Sequence, residues 1–152
     1  MPGFIHWREN AVDSLDLTER EKGVFDTLDS EEDLGLYLEQ LFLDIESRKK
    51  GKKEAEAAEL KSVLLGLCAF YLVEEKKNGQ ALDRVAHFHL SNGAQVERVN
   101  WGGNTTVAGY QQSASIMVNY LYNLSQIEKN HELYTGKGEI VVSSQVRKFL
   151  KR

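Results

Sequence analysis

The run AHFHLSNGAQVERVNW, from Ala86 to Trp101, sets two imidazoles, His87 and His89, just before an Asn-Gly chain reversal, in a chain with only four histidines. A neutral imidazole suits proton transfer near neutral pH. Downstream, Ser115, Asn119 and Tyr122 stand at offsets of 0, 4 and 7, a spacing that lines up three hydrogen-bonding groups on one side of a helix. A tyrosine hydroxyl and an asparagine amide can hold an imidazole or bind a developing oxyanion. The same residues also fit a blander description: His89 as a satisfied structural histidine, and the Ser115, Asn119, Tyr122 line as a wet helix face. His87 turns away from His89, because residues two apart on a helix do not share a side. His6 and His131 have no partners at metal-ligand spacing, and no Cys or His cluster suggests zinc. No phosphate-cradling glycine motif of the strand-loop-helix kind is present.

The elements that must position these groups read as mostly helical. Residues 31–47 put Leu34, Leu38, Leu41, Phe42 and Ile45 on one face, with Asp29 or Ser30 as N-cap. RKKGKK (Arg48 to Lys53) ends that helix with positive charge and Gly51, and reads as a solvated turn or a local phosphate contact. A second helix over about 53–77 carries the stripe Leu60, Val63, Leu64, Leu67, Cys68, Tyr71 and Leu72, antiparallel to the first. Asn-Gly within Lys77 to Gln80 breaks the pattern. Asp83 caps a short helix over 84–91, and Gly93 ends it in the left-handed conformation. AQVERVNW reads as a strand with imperfect alternation. After the GGNTT loop, Thr105 or Thr106 caps a helix predicted over about 107–124, with Ile116, Met117, Tyr120, Leu121 and Leu124 as its apolar face. Gly138 to Val142 reads as a short strand or extended segment, and SSQVRKFLKR as a capped, basic final helix. The fold class is α/β (α+β), predominantly helical with few short strands. Residues 10–80 are mainly helical, and 81–152 form a helix-strand-helix portion carrying the candidate site.

With 152 residues, 41% hydrophobic and 28% charged, the chain has a globular composition fit for one ordinary domain. The formal net charge of −4, with signs interspersed, argues against nucleic acid as the main partner. Cys68 is the only thiol, so no disulfide forms within the chain, and its apolar helical setting makes it a small buried hydrophobe. No apolar run approaches membrane-spanning length, and MPGFIHWREN lacks the pattern of a signal peptide. Phe4, Ile5 and Trp7 are exposed hydrophobes unless something covers them.

From Leu67 onward the chain resembles the C-terminal part of the catalytic domain of malonyl-CoA decarboxylases. The resemblance is carried by LCAFYLVEEKKNGQALDRVAHFHLSNGAQVERVNW, then SASIMVNYLY, then SSQV, and by the opening PGF with Trp7 soon after, which matches a Ser-Pro-x-Pro-Gly-Phe motif of the family. Residues 10–60 match only as helical filler. The resemblance implies a GNAT-like acetyltransferase fold, present here in part. It implies removal of CO2 from malonyl-CoA to give acetyl-CoA, with no metal or organic cofactor. A serine and a histidine are the family's principal catalytic residues. The histidine of the FHL.NGA motif is His89 here, and NY.Y supplies Asn119, as a substrate-binding residue, and Tyr122, beside the histidine.

Those residue types fit the chemistry. Loss of CO2 leaves an enolate, which needs fixed donors, and C2 must then take a proton. A protonated His89 can give that proton, while Tyr122 orients it or bonds the thioester oxygen. The family's serine stands two residues before the position that Met1 matches, so the chain reads as a truncated piece with little or no activity by itself. The family commonly has an acidic residue near Asn104, which this loop lacks. The expected partners are malonyl-CoA as substrate and, in the full-length protein, further copies of the same chain. The expected compartment is a bacterial cytoplasm. The alternative is a non-catalytic helical module that binds a protein partner or an acyl-CoA through an exposed PGFIHW end.

Overall fold

The computed structural model describes residues 1, 3–11, 16–29, 34–46 and 52–151. Among them run helices α1 (Phe4–Ala11), α2 (Glu19–Asp29), α3 (Leu34–Glu46), α4 (Lys52–Val73), α5 (Arg84–Ser91), α6 (Val107–Ser113), α7 (Ile127–Lys137) and α8 (Ser144–Phe149). The strands are β1 (Lys76–Lys77), β2 (Gln80–Ala81), β3 (Gln95–Asn100) and β4 (Met117–Leu121). The architecture is thus mostly helical with a few short strands, as the sequence suggests. The Ser30 cap and the Arg48 to Gly51 part of the basic turn lie outside the described residues, as do the side chains of Leu34 and Ile45. The chain divides into two compact units: Pro2–Leu65 with Trp101–Ile116, and Gly66–Asn100 with Met117–Arg152 and Met1.

In the first unit, Phe4, Ile5 and Trp7 are buried, not exposed as their sequence position suggested. They lie on α1, which packs against α6. The apolar opening is therefore core, and the docking end that the non-catalytic alternative needs is not there. Thr18 and Glu21 form a reciprocal cap at the start of α2: the Glu21 N–H reaches the Thr18 hydroxyl at 3.3 Å, and the Glu21 carboxylate accepts the Thr18 N–H at 3.0 Å. Helix α3 buries Leu38 and Leu41. It also sets Phe42 between Trp101 (5.3 Å, stacked) and the edge of Tyr110 (5.6 Å). Gly102 has φ of +69°, and a Cβ there would stand 2.8 Å from the Phe42 ring, so that loop position requires glycine.

The predicted helix over 107–124 is corrected by the structure. Thr106 caps α6 as expected, but the helix stops at Ser113. Ala114 and Ser115 then take positive φ values of 51° and 66°, a conformation that costs non-glycine residues about 1–3 kcal/mol each. The buried Ser115 hydroxyl accepts the Gly102 N–H at 3.2 Å, which anchors the reversal. From Met117 the chain runs on as strand β4. Sheet pairing overrides the helical periodicity, and Met117, Leu121 and Leu124 of the expected apolar face are exposed.

In the second unit the C-terminal half of α4 is apolar on every side and buried, with Leu67, Cys68, Ala69, Tyr71 and Leu72 all at 3% exposure or less. Asn78 and Gly79, both with positive φ, turn β1 back onto β2, so the Asn-Gly read as a break is a hairpin turn. Asp83 caps α5 through the Ala86 N–H at 2.9 Å. Gly93, with φ of +88°, leads into β3, and a Cβ there would stand 2.4 Å from the Ile127 carbonyl oxygen. β3 pairs antiparallel with β4 across an irregularity between Val96 and Arg98, leaving Glu97 as the extra residue. That bulge is why AQVERVNW alternates imperfectly: it lets Val96 and Val99, three apart, both be buried. Val142 makes a parallel bridge to Val96, and Ser143 caps α8.

Candidate functional site

His89 rides on α5. Its neighbours Ala86 and Leu90 are buried and seat the helix, and Asn130 of α7 donates to the Gly93 carbonyl at 3.2 Å just past its end. α7, which the sequence reading leaves unassigned, packs along α5. β4 comes alongside through its pairing with β3, where Tyr120 stands opposite the fully buried Val96. The result is a small aromatic cradle. The His89 ring lies on the Tyr120 ring, centroids 4.3 Å apart and 18° from parallel. Tyr122 meets it edge-on, 5.8 Å away at 64°, with its hydroxyl 2.7 Å from Nδ1. Phe88, mostly exposed, sits edge-on to the same imidazole at 5.2 Å. Nε2 has no hydrogen-bond partner among the described residues.

Asp83 is 2% exposed and accepts from the Ala86 N–H and from the Tyr71 hydroxyl at 3.3 Å. Burial, reinforced by the Asp83 charge, pushes the Tyr71 phenol above its usual range. Tyr120 is shifted the same way, first by burial, then by the charges of Asp83, Cys68, Tyr71 and Tyr122. The Tyr120 hydroxyl is buried and has no hydrogen-bond partner among the described residues. Burial likewise raises the Cys68 thiol, which lies against Met1 Sδ at 3.2 Å, so it is an inert core side chain.

Of the residues singled out in the sequence, the structure brings together His89 and Tyr122. It does not bring Asn119 to them. Strand side chains alternate, so Asn119 occupies the face of β4 opposite Tyr120, where its carbonyl oxygen accepts from the Asn100 amide. Ser115 lies in the other unit, buried under its own loop. His87 does turn to a different side: its Nδ1 is 2.7 Å from the Tyr134 hydroxyl, which also accepts the Ala81 N–H at 2.9 Å. A cleft of about 490 Å³ opens there, lined by Asn78, Gly79, His87, Tyr134 and Lys137 among others. His6 lies near the Asn10 amide, and His131 Nδ1 is 2.6 Å from the Ser91 carbonyl. No group of three or more His, Cys, Asp or Glu among the described residues could hold a metal ion. None of the helices there is long and apolar enough to cross a membrane. Tyr120 is the member sequence reasoning missed. Its signal was the i, i+2 pair Tyr120 and Tyr122 in a run rich in β-branched and aromatic residues, where alternation outweighs a helical stripe.

The whole chain, residues 1–152, matches the family described as malonyl-CoA decarboxylase C-terminal domain. The chain belongs to that family. It is similar to the mitochondrial malonyl-CoA decarboxylase of Anser anser anser, with 44% identity over 101 residues, covering 66% of this chain and 20% of the relative. Among solved structures it is similar to the malonyl-CoA decarboxylase of Rhodopseudomonas palustris (35% identity, TM-score 0.76, 98% of this chain and 31% of that one). It is also similar to that of Agrobacterium vitis (30% identity, TM-score 0.79, 99% and 34%). The chain thus spans about a fifth of the length of that curated relative and about a third of the solved chains.

Proposed function

We propose that this chain carries the histidine side of a malonyl-CoA decarboxylase site, with His89 as the proton donor. The carrying observation is the 2.7 Å contact between His89 Nδ1 and the Tyr122 hydroxyl, which leaves Nε2 as the nitrogen free to exchange a proton. In the proposed reaction the bond between the malonyl carboxylate and C2 breaks heterolytically. CO2 departs, the electron pair becomes the enolate of the acetyl thioester, and protonated His89 delivers a proton from Nε2 to C2. Tyr122 then accepts from Nδ1–H and holds the ring in register through the transfer. Phe88 and Tyr122 both meet the imidazole edge-on and are partly exposed, so an acyl thioester reaches the ring from that aromatic side. Asn119, facing away, braces the tyrosine-bearing strand through Asn100.

The Ser-Pro of the family motif is not among these 152 residues. The chain spans about a third of the solved relatives' length, so the assay belongs to the complete gene product, which is proposed to self-associate. The GNAT-like kinship rests on the resemblance of the motifs. A cytoplasmic placement is likewise a proposal, set beside a relative named mitochondrial; microscopy of the tagged gene product separates the two. The central test is CO2 release from malonyl-CoA. His89→Ala should cut kcat by about 10²–10⁴ while leaving acyl-CoA binding within about threefold. Undiminished turnover in that variant sinks the reading.

A further inference from the structure

We infer that Tyr120 is a positioning residue for His89, acting through its ring face rather than its hydroxyl. This deepens the reading of His89 as proton donor and rests on it. An imidazole must be fixed in two respects to present one chosen nitrogen: the plane of its ring and the rotation within that plane. The Tyr122 hydroxyl on Nδ1 governs rotation. It cannot fix the plane, because the outer torsion of a histidine has a broad two-fold profile and a hydrogen bond tolerates tilt. The near-parallel stack on Tyr120 supplies the missing restraint. Only the two tyrosines together leave Nε2 as the working atom in one orientation.

Tyr120 is itself rigidly placed. It lies mid-strand, opposite the fully buried Val96, and its hydroxyl oxygen is buried. The helix that lays the imidazole on this ring is itself fixed by its buried Asp83 cap. The hydroxyl makes no hydrogen bond among the described residues, so it has none to lose on removal, and a phenylalanine ring fits the same slot.

The test uses the complete gene product. Tyr120→Phe keeps the plate and should retain kcat within about threefold. Tyr120→Leu and Tyr120→Met remove it, the second being the flexible filler should the first fail to fold. Each should lower kcat about 10- to 100-fold with KM within about threefold, the signature of misorientation rather than lost binding. Proton NMR of the His89 ring, assigned with His89→Gln, reads the stack directly. Its carbon-bound protons lie under the ring current in the parent and in Tyr120→Phe, and should move downfield in the Leu and Met variants. A folded Leu or Met variant with kcat within threefold of the parent, or with unmoved His89 protons, overturns the proposal. If His89→Ala leaves turnover intact, the proton-donor reading falls, and the NMR shift alone then decides whether Tyr120 orients the ring.

Discussion

His87 and His89 stand two residues apart on one helix, and each has Nδ1 2.7 Å from a tyrosine hydroxyl. Their surroundings nevertheless differ. The partner of His87, Tyr134, also accepts the Ala81 N–H, so the pair ties the β1–β2 hairpin to α5 and α7. The partner of His89, Tyr122, accepts no such backbone N–H among the described residues and is partly exposed. A cleft opens beside His87, yet the imidazole stacked on a tyrosine ring is His89. A cavity shows where something fits; a restrained ring with one nitrogen free shows where a proton can be handed over.

Four experiments press on this contrast, in descending order of expected effect. The hundred-fold or greater loss expected of His89→Ala comes first; a larger loss in His87→Ala would reverse the assignment. Tyr122→Phe removes the tether and keeps the edge contact, so kcat should fall about tenfold, the equivalent of about 1.4 kcal/mol for one hydrogen bond, with KM little changed. Alkali comes third. Tyr71 and Tyr120 have phenols raised above their unfolded value, so the folded state favours them neutral. Their contribution is fully present below about pH 10 and is lost as pH rises above it, where the unfolded chain ionises first. Urea melts tracked against pH should show stability falling above pH 10, less steeply in Tyr120→Phe. Smallest is His87→Ala, which should leave kcat within about threefold and lower stability by about 1–2 kcal/mol, seen as a drop in Tm of a few degrees.

How legible all this was depended on whether a signal was local. The Asp83 cap, the Gly93 exit and the reach of α5 are set by neighbours within a few residues, and the sequence spells them. The His89–Tyr122 pairing came from motif resemblance, not from periodicity, and the reason given by periodicity was wrong. Ser115, Asn119 and Tyr122 do share a helical line on paper, but two left-handed residues end α6 and the ladder with β3 claims Met117 to Leu121. A strand partner lying on the far side of a long excursion leaves no trace in an eleven-residue window. Tyr120 was hidden for the same reason: counted as one apolar residue on a helix, it proves to be the surface on which the imidazole rests. The bulge at Glu97 shows the converse, since the flaw in alternation was visible and only its cause was not.

The stretch from Trp101 to Ile116 separates the two strands that a tight turn would otherwise have joined. Every residue of the imidazole-bearing helix precedes it, and both tyrosines come after it. One proteolytic cut there parts the molecule into two polypeptides, the first with the imidazole proposed as acid and the second with the tyrosines that contact it, joined afterwards only by non-covalent pairing. Activity would then depend on dilution, and reassociation of the separated halves would act as a reporter of whatever brings them together.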